Sequence, residues 1–244
     1  TLGGMLLFGA LVSAKLPLTL ALPAAVAGVV LTGALVEFMG LRPSRSRNHL
    51  VLIFLTIGLS IVLRGAIKLI WGKTSLAVPP LAGETPLTVL GASIMPQAVW
   101  ILLITALAIV LLVLFFGKTT TGLAMRAVAS NPTAAAVVGL RGPRARTLSF
   151  ALAGALGGLA GALVTPITTL RYDVGVLLGL KGFSAAILGG FGSFPGAIVG
   201  GLSLGLLESL GAAYVSSAWK DTIAFVVLLL VLFVRPHGLM GKAV

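Results

Sequence analysis

The chain has 244 residues, 58% of them hydrophobic and 9% charged, with a formal net charge of +12 and no cysteine. A soluble domain carries roughly 25% charged residues. Too few charges remain here to coat a water-facing surface, so a soluble enzyme, a nucleic-acid binder and a disordered chain are poor readings. A helical integral membrane protein fits instead. The apolar stretches are continuous, not alternating, which argues against a membrane β-barrel. The absence of thiols removes disulfides, thiolate metal sites and thiol catalysis.

In chain order, residues 3–14 form an apolar run too short to span a bilayer. The chain opens Thr1-Leu2-Gly3-Gly4 rather than with Met, and no basic region precedes the run. The expectation is a protein whose first helix lies upstream, with no signal peptide in view. Seven further segments follow, at about 16–38, 49–71, 97–117, 147–167, 179–193, 195–214 and 216–235. The fifth and the seventh are short for a bilayer core of about 30 Å, and both a broken, pathway-lining helix and a plain short helix fit them.

Of the 17 Lys and Arg, all but two can be assigned to a side. One side holds Arg42, Arg45, Arg47, Lys118, Arg126, Arg141, Arg144, Arg146, Arg235 and Lys242, and the other Lys15, Lys73, Arg171, Lys181 and Lys220. Arg64 and Lys68 fall inside a segment. Positive residues accumulate in the cytoplasm, which places 39–48, 118–146 and the C-terminus inside and leaves 72–96, rich in Pro and Thr, as the longest external loop. The charge of +12 is then a loop bias, with no basic, aromatic-rich soluble segment to bind nucleic acid.

Few charges enter the spans. Arg64 and Lys68 share a helix face, where they can snorkel outward or line a water-filled path. Glu208 lies near the centre of its segment and can pair with a cation on another helix or face a cavity. Glu37, at the inner end of its span, reads as interfacial.

Glycine supplies 32 residues, and many fall at helix-ridge spacing: Gly154 with Gly158, Gly157 with Gly161, the series Gly192, Gly196 and Gly200, and Gly201 with Gly205. Lipid provides no hydrophobic drive between helices, so small residues that let backbones approach matter. Tight packing and a surface that slides during transport are both compatible with these ridges. The run Gly189-Gly190-Phe191-Gly192-Ser193 before Pro195-Gly196 lacks dinucleotide-loop spacing and reads as a tight turn between two membrane helices. No Walker A pattern occurs, so any ATPase is a separate chain.

Segment 118–146 contains a short predicted helix. Asn131 is a capping residue, Pro132 suits the first helical position, Ala134, Ala135 and Ala136 favour helix, and Gly139 ends it. Arg126, Arg141, Arg144 and Arg146 flank it. Such a helix suits insertion into a groove on a partner, while a simple interfacial loop is the plainer alternative.

Thr133-Ala134-Ala135 followed after three residues by Gly139 is similar to the Glu-Ala-Ala coupling motif of ATP-binding-cassette importer permeases, with Thr in place of Glu and no distal Ile-x-Leu-Pro. The longer run Gly122-Leu-Ala-Met-Arg126 through Gly139-Leu140 resembles the branched-chain amino acid permease family. So do Thr56–Ser60, Gly179–Ser193, Pro195-Gly196, Leu207-Glu208, Tyr214 through Lys220-Asp221, and Arg235-Pro236-His237-Gly238. These stretches follow the family's order from about residue 3 to 241.

The resemblance implies an all-α polytopic permease: a single transmembrane domain over 1–244, short of its first helix, with a cytoplasmic coupling loop at 118–146. It implies an inner-membrane subunit of a bacterial importer, paired with a homologous permease and fed by an extracytoplasmic amino-acid-binding protein. Two cytoplasmic ATPases would bind the ATP, leaving this chain with no cofactor and no catalytic step. Arg126, Asn131, Pro132, Thr133, Ala134, Ala135 and Gly139 would contact the ATPase. Gly154, Gly158, Gly161, Gly189, Gly190, Gly192, Gly196, Gly200 and Glu208 would serve packing or translocation. Relatives of this kind carry branched-chain or other amino acids, amides or urea. The rivals are an ion-coupled transporter, for which Glu208 is the one deep carboxylate, a channel for small polar solutes, and an intramembrane enzyme. The last is weakened by the loop-end positions of His49 and His237.

Overall fold

The structure, a computed structural model, describes residues 1–43, 49–78, 80, 87–89, 92–190, 192–214, 216–235 and 238–241. Expectations placed on Arg45, Arg47, Phe191, Pro236, His237 and Lys242 lie outside the described residues. The described chain is all-α apart from one small hairpin, and it divides into two compact units, Thr1–Asp173 and Val174–Val244.

The first unit holds α1 (Leu2–Phe8), α2 (Leu18–Leu35), α3 (His49–Trp71), α4 (Pro96–Lys118), α5 (Thr120–Ser130), α6 (Pro132–Val137) and α7 (Gly142–Val164). Wide π-helical turns prolong α1 over Gly9–Ser13 and α2 over Val36–Leu41. Between α3 and α4, β1 (Leu87–Val89) pairs antiparallel with β2 (Ala92–Ile94), Leu87 opposite Ile94. The second unit holds α8 (Val174–Gly189), α9 (Phe194–Tyr214) and α10 (Lys220–Val234).

Among the described residues, five helical stretches are long and apolar enough to cross a membrane: Leu18–Leu41, Leu50–Trp71, Pro96–Lys118, Gly142–Val164 and Phe194–Tyr214. Leu2–Ser13, Val174–Gly189 and Phe225–Val234 are shorter apolar helices. A helix satisfies its own backbone polar groups, which is why these apolar runs fold as they do in lipid.

Two helices depart most from the segments expected from the sequence. Helix α7 begins at Gly142, not near 147, because Pro143 sits in its first turn, where a missing N–H costs nothing. Arg144 and Arg146 are therefore helical. Helix α8 spans Val174–Gly189 rather than 179–193, so Lys181 lies mid-helix instead of at the outer end of its segment. Gly190, at φ +111°, turns the chain out of α8 in a conformation that L side chains rarely adopt.

In the first unit α2 and α7 form the most extensive helix pair. They run antiparallel: Glu37 meets Thr147, a Cβ added at Gly33 would meet the Phe150 carbonyl, and one at Gly158 would meet Val29. Helix α1 packs on both, burying Leu7 against Ala21, Ala25 and Ala162, and its Met5 is buried against Ile67 of α3 and Leu170. A Cβ at Gly3 would strike the backbone of Gly158, so α1 and α7 touch main chain to main chain. Gln97 donates to the Leu163 carbonyl at 2.8 Å, tying the start of α4 to the end of α7. In the second unit Ala185, Leu188 and Leu204 form the core, with Leu228 and Val231 of α10 against it. The segment after α10 folds back, and the N–H groups of Leu239 and Met240 satisfy the Leu188 and Gly189 carbonyls at the end of α8.

Candidate functional site

Segment 118–146 is almost entirely helical, a feature that the sequence reading confined to residues 131–139. At the corner between α4 and α5, the Thr119 hydroxyl donates to the Phe115 carbonyl at 2.6 Å and accepts from the Gly122 N–H at 3.0 Å. That N-cap fixes where α5 starts. Gly122 is buried there, and any side chain would collide with Phe115 and Phe116 backbone. Met125 is buried, while Arg126 is exposed.

Helix α6 forms where local signals place it. The Asn131 carboxamide oxygen accepts from the N–H groups of Thr133 and Ala134 at 3.1 and 3.0 Å. Pro132 occupies the first turn. The helix ends through Gly139, at φ +84°, with the Leu140 N–H returning to the Ala135 carbonyl at 2.9 Å and the Gly139 N–H to Ala136 at 3.0 Å. It packs on α5 and α7, and Ala135 is the residue buried by that contact. Thr133, Ala134 and Ala136 are exposed, and Val137 and Val138 are 86% and 80% exposed. Two bare valines at the tip of a six-residue helix are the feature of this site that the sequence reading missed.

A groove of about 590 Å³ opens beside α6, between α5 and the start of α7. Met125 and Leu140 belong to its apolar lining, and Thr120, Thr121, Arg141 and Arg144 supply its polar lining. Such a lining takes an apolar side chain flanked by acidic or hydrogen-bonding groups.

Glu37, expected at the inner end of its span, is enclosed by the protein rather than exposed. It is fully buried on the π-helical turn after α2, because α7 and α3 both pack against that turn. The Thr147 hydroxyl donates to its Oε2 at 2.6 Å, and Arg146 Nε stands 4.0 Å from its Oε1. In the sequence only its position near a span end is visible.

The glycines separate into two groups. Cβ atoms at Gly154 and Gly158 would meet Val29 of α2, and one at Gly161 would meet Gly4 of α1. Gly189, Gly196 and Gly200 bring α8 and α9 to backbone contact, and Gly190 is pressed against Gly241. Gly157, Gly192, Gly201 and Gly205 face open space. The expected ridges Gly157/Gly161 and Gly201/Gly205 are therefore not packed as pairs, since ridge spacing identifies a face but not what covers it. Ser193 accepts from the Gly196 N–H at 3.2 Å and caps α9.

Glu208 is buried in α9, and its carboxylate lies 3.0 Å from Lys181 Nζ of α8. Of the two roles open to it, the geometry is that of the interhelical pair. Arg64 donates to the Ser60 carbonyl at 3.3 Å, and Lys68 lies over the Tyr172 ring at 5.6 Å. Among the described residues no group of three His, Asp or Glu could hold a metal ion.

The family described as branched-chain amino acid transport system, permease component, matches residues 1–232. The chain is 34% identical over 214 residues to the high-affinity branched-chain amino acid transport system permease protein LivH of Escherichia coli K12, covering 85% of this chain and 69% of that one. It is 34% identical over 231 residues to the corresponding BraD protein of Pseudomonas aeruginosa, with 91% and 75% covered. A probable LivH of Methanocaldococcus jannaschii is 29% identical over 223 residues, with 85% and 70% covered. No solved structure matches.

Proposed function

This chain belongs to the branched-chain amino acid transport permease family, and from that premise we propose that it is the permease subunit of an ATP-binding-cassette importer moving branched-chain amino acids across the inner membrane. Two cytoplasmic ATPases bind and hydrolyse ATP; this chain holds no cofactor and performs no catalytic step. A homologous permease completes the pathway, and an extracytoplasmic binding protein delivers the amino acid. The ligand passes without tight binding, since the delivering protein supplies selectivity.

The observation that carries this reading is α6: capped at both ends, seated on its own chain through Ala135, and bare at Val137 and Val138. Exposed valines on a short, firmly terminated helix suit burial in a partner's groove. The segment 118–146 and the C-terminus face the cytoplasm in this reading, consistent with their arginines. The rival ion-coupled transporter needs a free intramembrane carboxylate, and Glu208 is paired with Lys181.

Copurification decides between them. The intact permease is expected to bring down an ATPase subunit and to take up leucine only with ATP. Uptake that survives ATP depletion and collapses with an ion gradient would overturn the proposal. Val137→Asp is expected to abolish ATPase copurification while leaving the permease folded in the membrane. Ala135 is the poorer probe, because a bulky charge there unseats α6 from its own chain.

A further inference from the structure

The importer reading leaves one fully buried ionisable group without a task. Glu37 sits on the π-helical turn that prolongs α2, within reach of Thr147 and Arg146 on the second turn of α7. Placing a carboxylate in that position is unfavourable unless it is bonded, and an apolar side chain would fill the same space. π-helical turns also recur at functional positions.

The rest of the α2–α7 contact is apolar and glycine-lined. Gly33, Gly154 and Gly158 bring the two backbones together without interlocking polar groups. Among the described residues, the side-chain hydrogen bonds and ion pairs joining α2 and its π-helical turn to α7 are those of Glu37. A glycine-lined face lets one helix slide on another, whereas a short charge-assisted hydrogen bond is directional. The grip lies at the end of α7 that follows α6, only Val138–Arg141 apart from it.

We propose that Glu37 is a positioning residue that carries displacement of α6 to α2. Movement of α6 shifts the first turns of α7; Thr147 and Arg146 move with them; Glu37 transmits that motion to α2, which would otherwise slip along its glycine face. The inference rests on the importer reading and adds to it the element that α6 drives.

The test uses the complete transporter, with its second permease, ATPases and binding protein, in liposomes, with leucine uptake and ATP hydrolysis measured together. Glu37→Gln and Thr147→Val are expected to lower leucine moved per ATP hydrolysed by about ten-fold, with hydrolysis within about two-fold of wild type. Thr147→Ser, which keeps the hydroxyl, is expected to retain the wild-type ratio. The double variant Glu37→Gln/Thr147→Val is expected to fall no further than Thr147→Val alone, because the link that Glu37→Gln weakens is then already broken. Parallel loss of uptake and hydrolysis, or an unchanged ratio, overturns the proposal. If Glu37→Gln does not assemble, Thr147→Val alone decides; failure of both to assemble overturns it, because the contact then only packs the fold. A wild-type complex without ATP-driven uptake sinks the importer reading itself, and this inference with it.

Discussion

Lys181 and Glu208 show how a single residue's meaning depends on its neighbour. Each alone is an expensive group on an apolar helix. Together, at 3.0 Å, they join α8 to α9. Removing one partner leaves the other inadequately compensated, so Lys181→Met is expected to weaken the fold by about 1–3 kcal/mol. The double change Lys181→Met/Glu208→Leu is expected to recover much of that loss. Denaturant titration of the detergent-solubilised protein checks both, and a double variant no better than the single would refute the pairing. Glu208 was visible in the sequence as a deep carboxylate, but its partner was not: Lys181 precedes it by 27 positions and reads as the outer end of its segment until α8 is seen to start at Val174. Glu37 escaped for a related reason. Its burial is produced by α7, more than a hundred residues further on.

At the scale of the element, α6 and the glycine faces behave differently. Helix α6 was legible because its cap, its proline and its terminating glycine are all local signals. Gly139 adopts φ +84°, and Gly139→Ala is expected to cost about 1–2 kcal/mol locally, read as faster amide exchange at Leu140. Glycine spacing is a weaker guide. Gly154 and Gly157 each belong to a four-residue repeat, yet a Cβ at Gly154 would lie 2.8 Å from the Val29 carbonyl while one at Gly157 meets nothing within 4 Å. Gly154→Ala is therefore expected to push α2 from α7 and destabilise the protein, and Gly157→Ala to be neutral or slightly stabilising, since alanine is the better helix former. Thermal unfolding of the two variants separates them, and equal losses would contradict the assigned faces.

For the whole molecule, the bias of arginines predicts an orientation that a direct measurement can test. The chain has no cysteine, so a single introduced thiol reports its own side. Ser130 at the end of α5 and Ser75 after α3 are both exposed. With 118–146 cytoplasmic, a membrane-impermeant maleimide is expected to label Ser75→Cys in intact cells and Ser130→Cys only after permeabilisation. The reverse pattern would invert the topology and remove the basis for ATPase contact at α6.

The sequence by itself determined the class of the molecule, the approximate spans, the short capped helix and the resemblance to amino acid permeases, because composition, caps and apolar runs are properties of neighbouring residues. Tertiary structure decided which glycines meet a backbone, that Ala135 faces inward while Val137 and Val138 stand bare, that Glu208 is paired, and that Glu37 is buried. Those outcomes depend on which helices pack together. In lipid, an apolar helix face suits acyl chains as well as another helix, so hydrophobicity along the chain carries little information about the partner, and only the packed bundle supplies it.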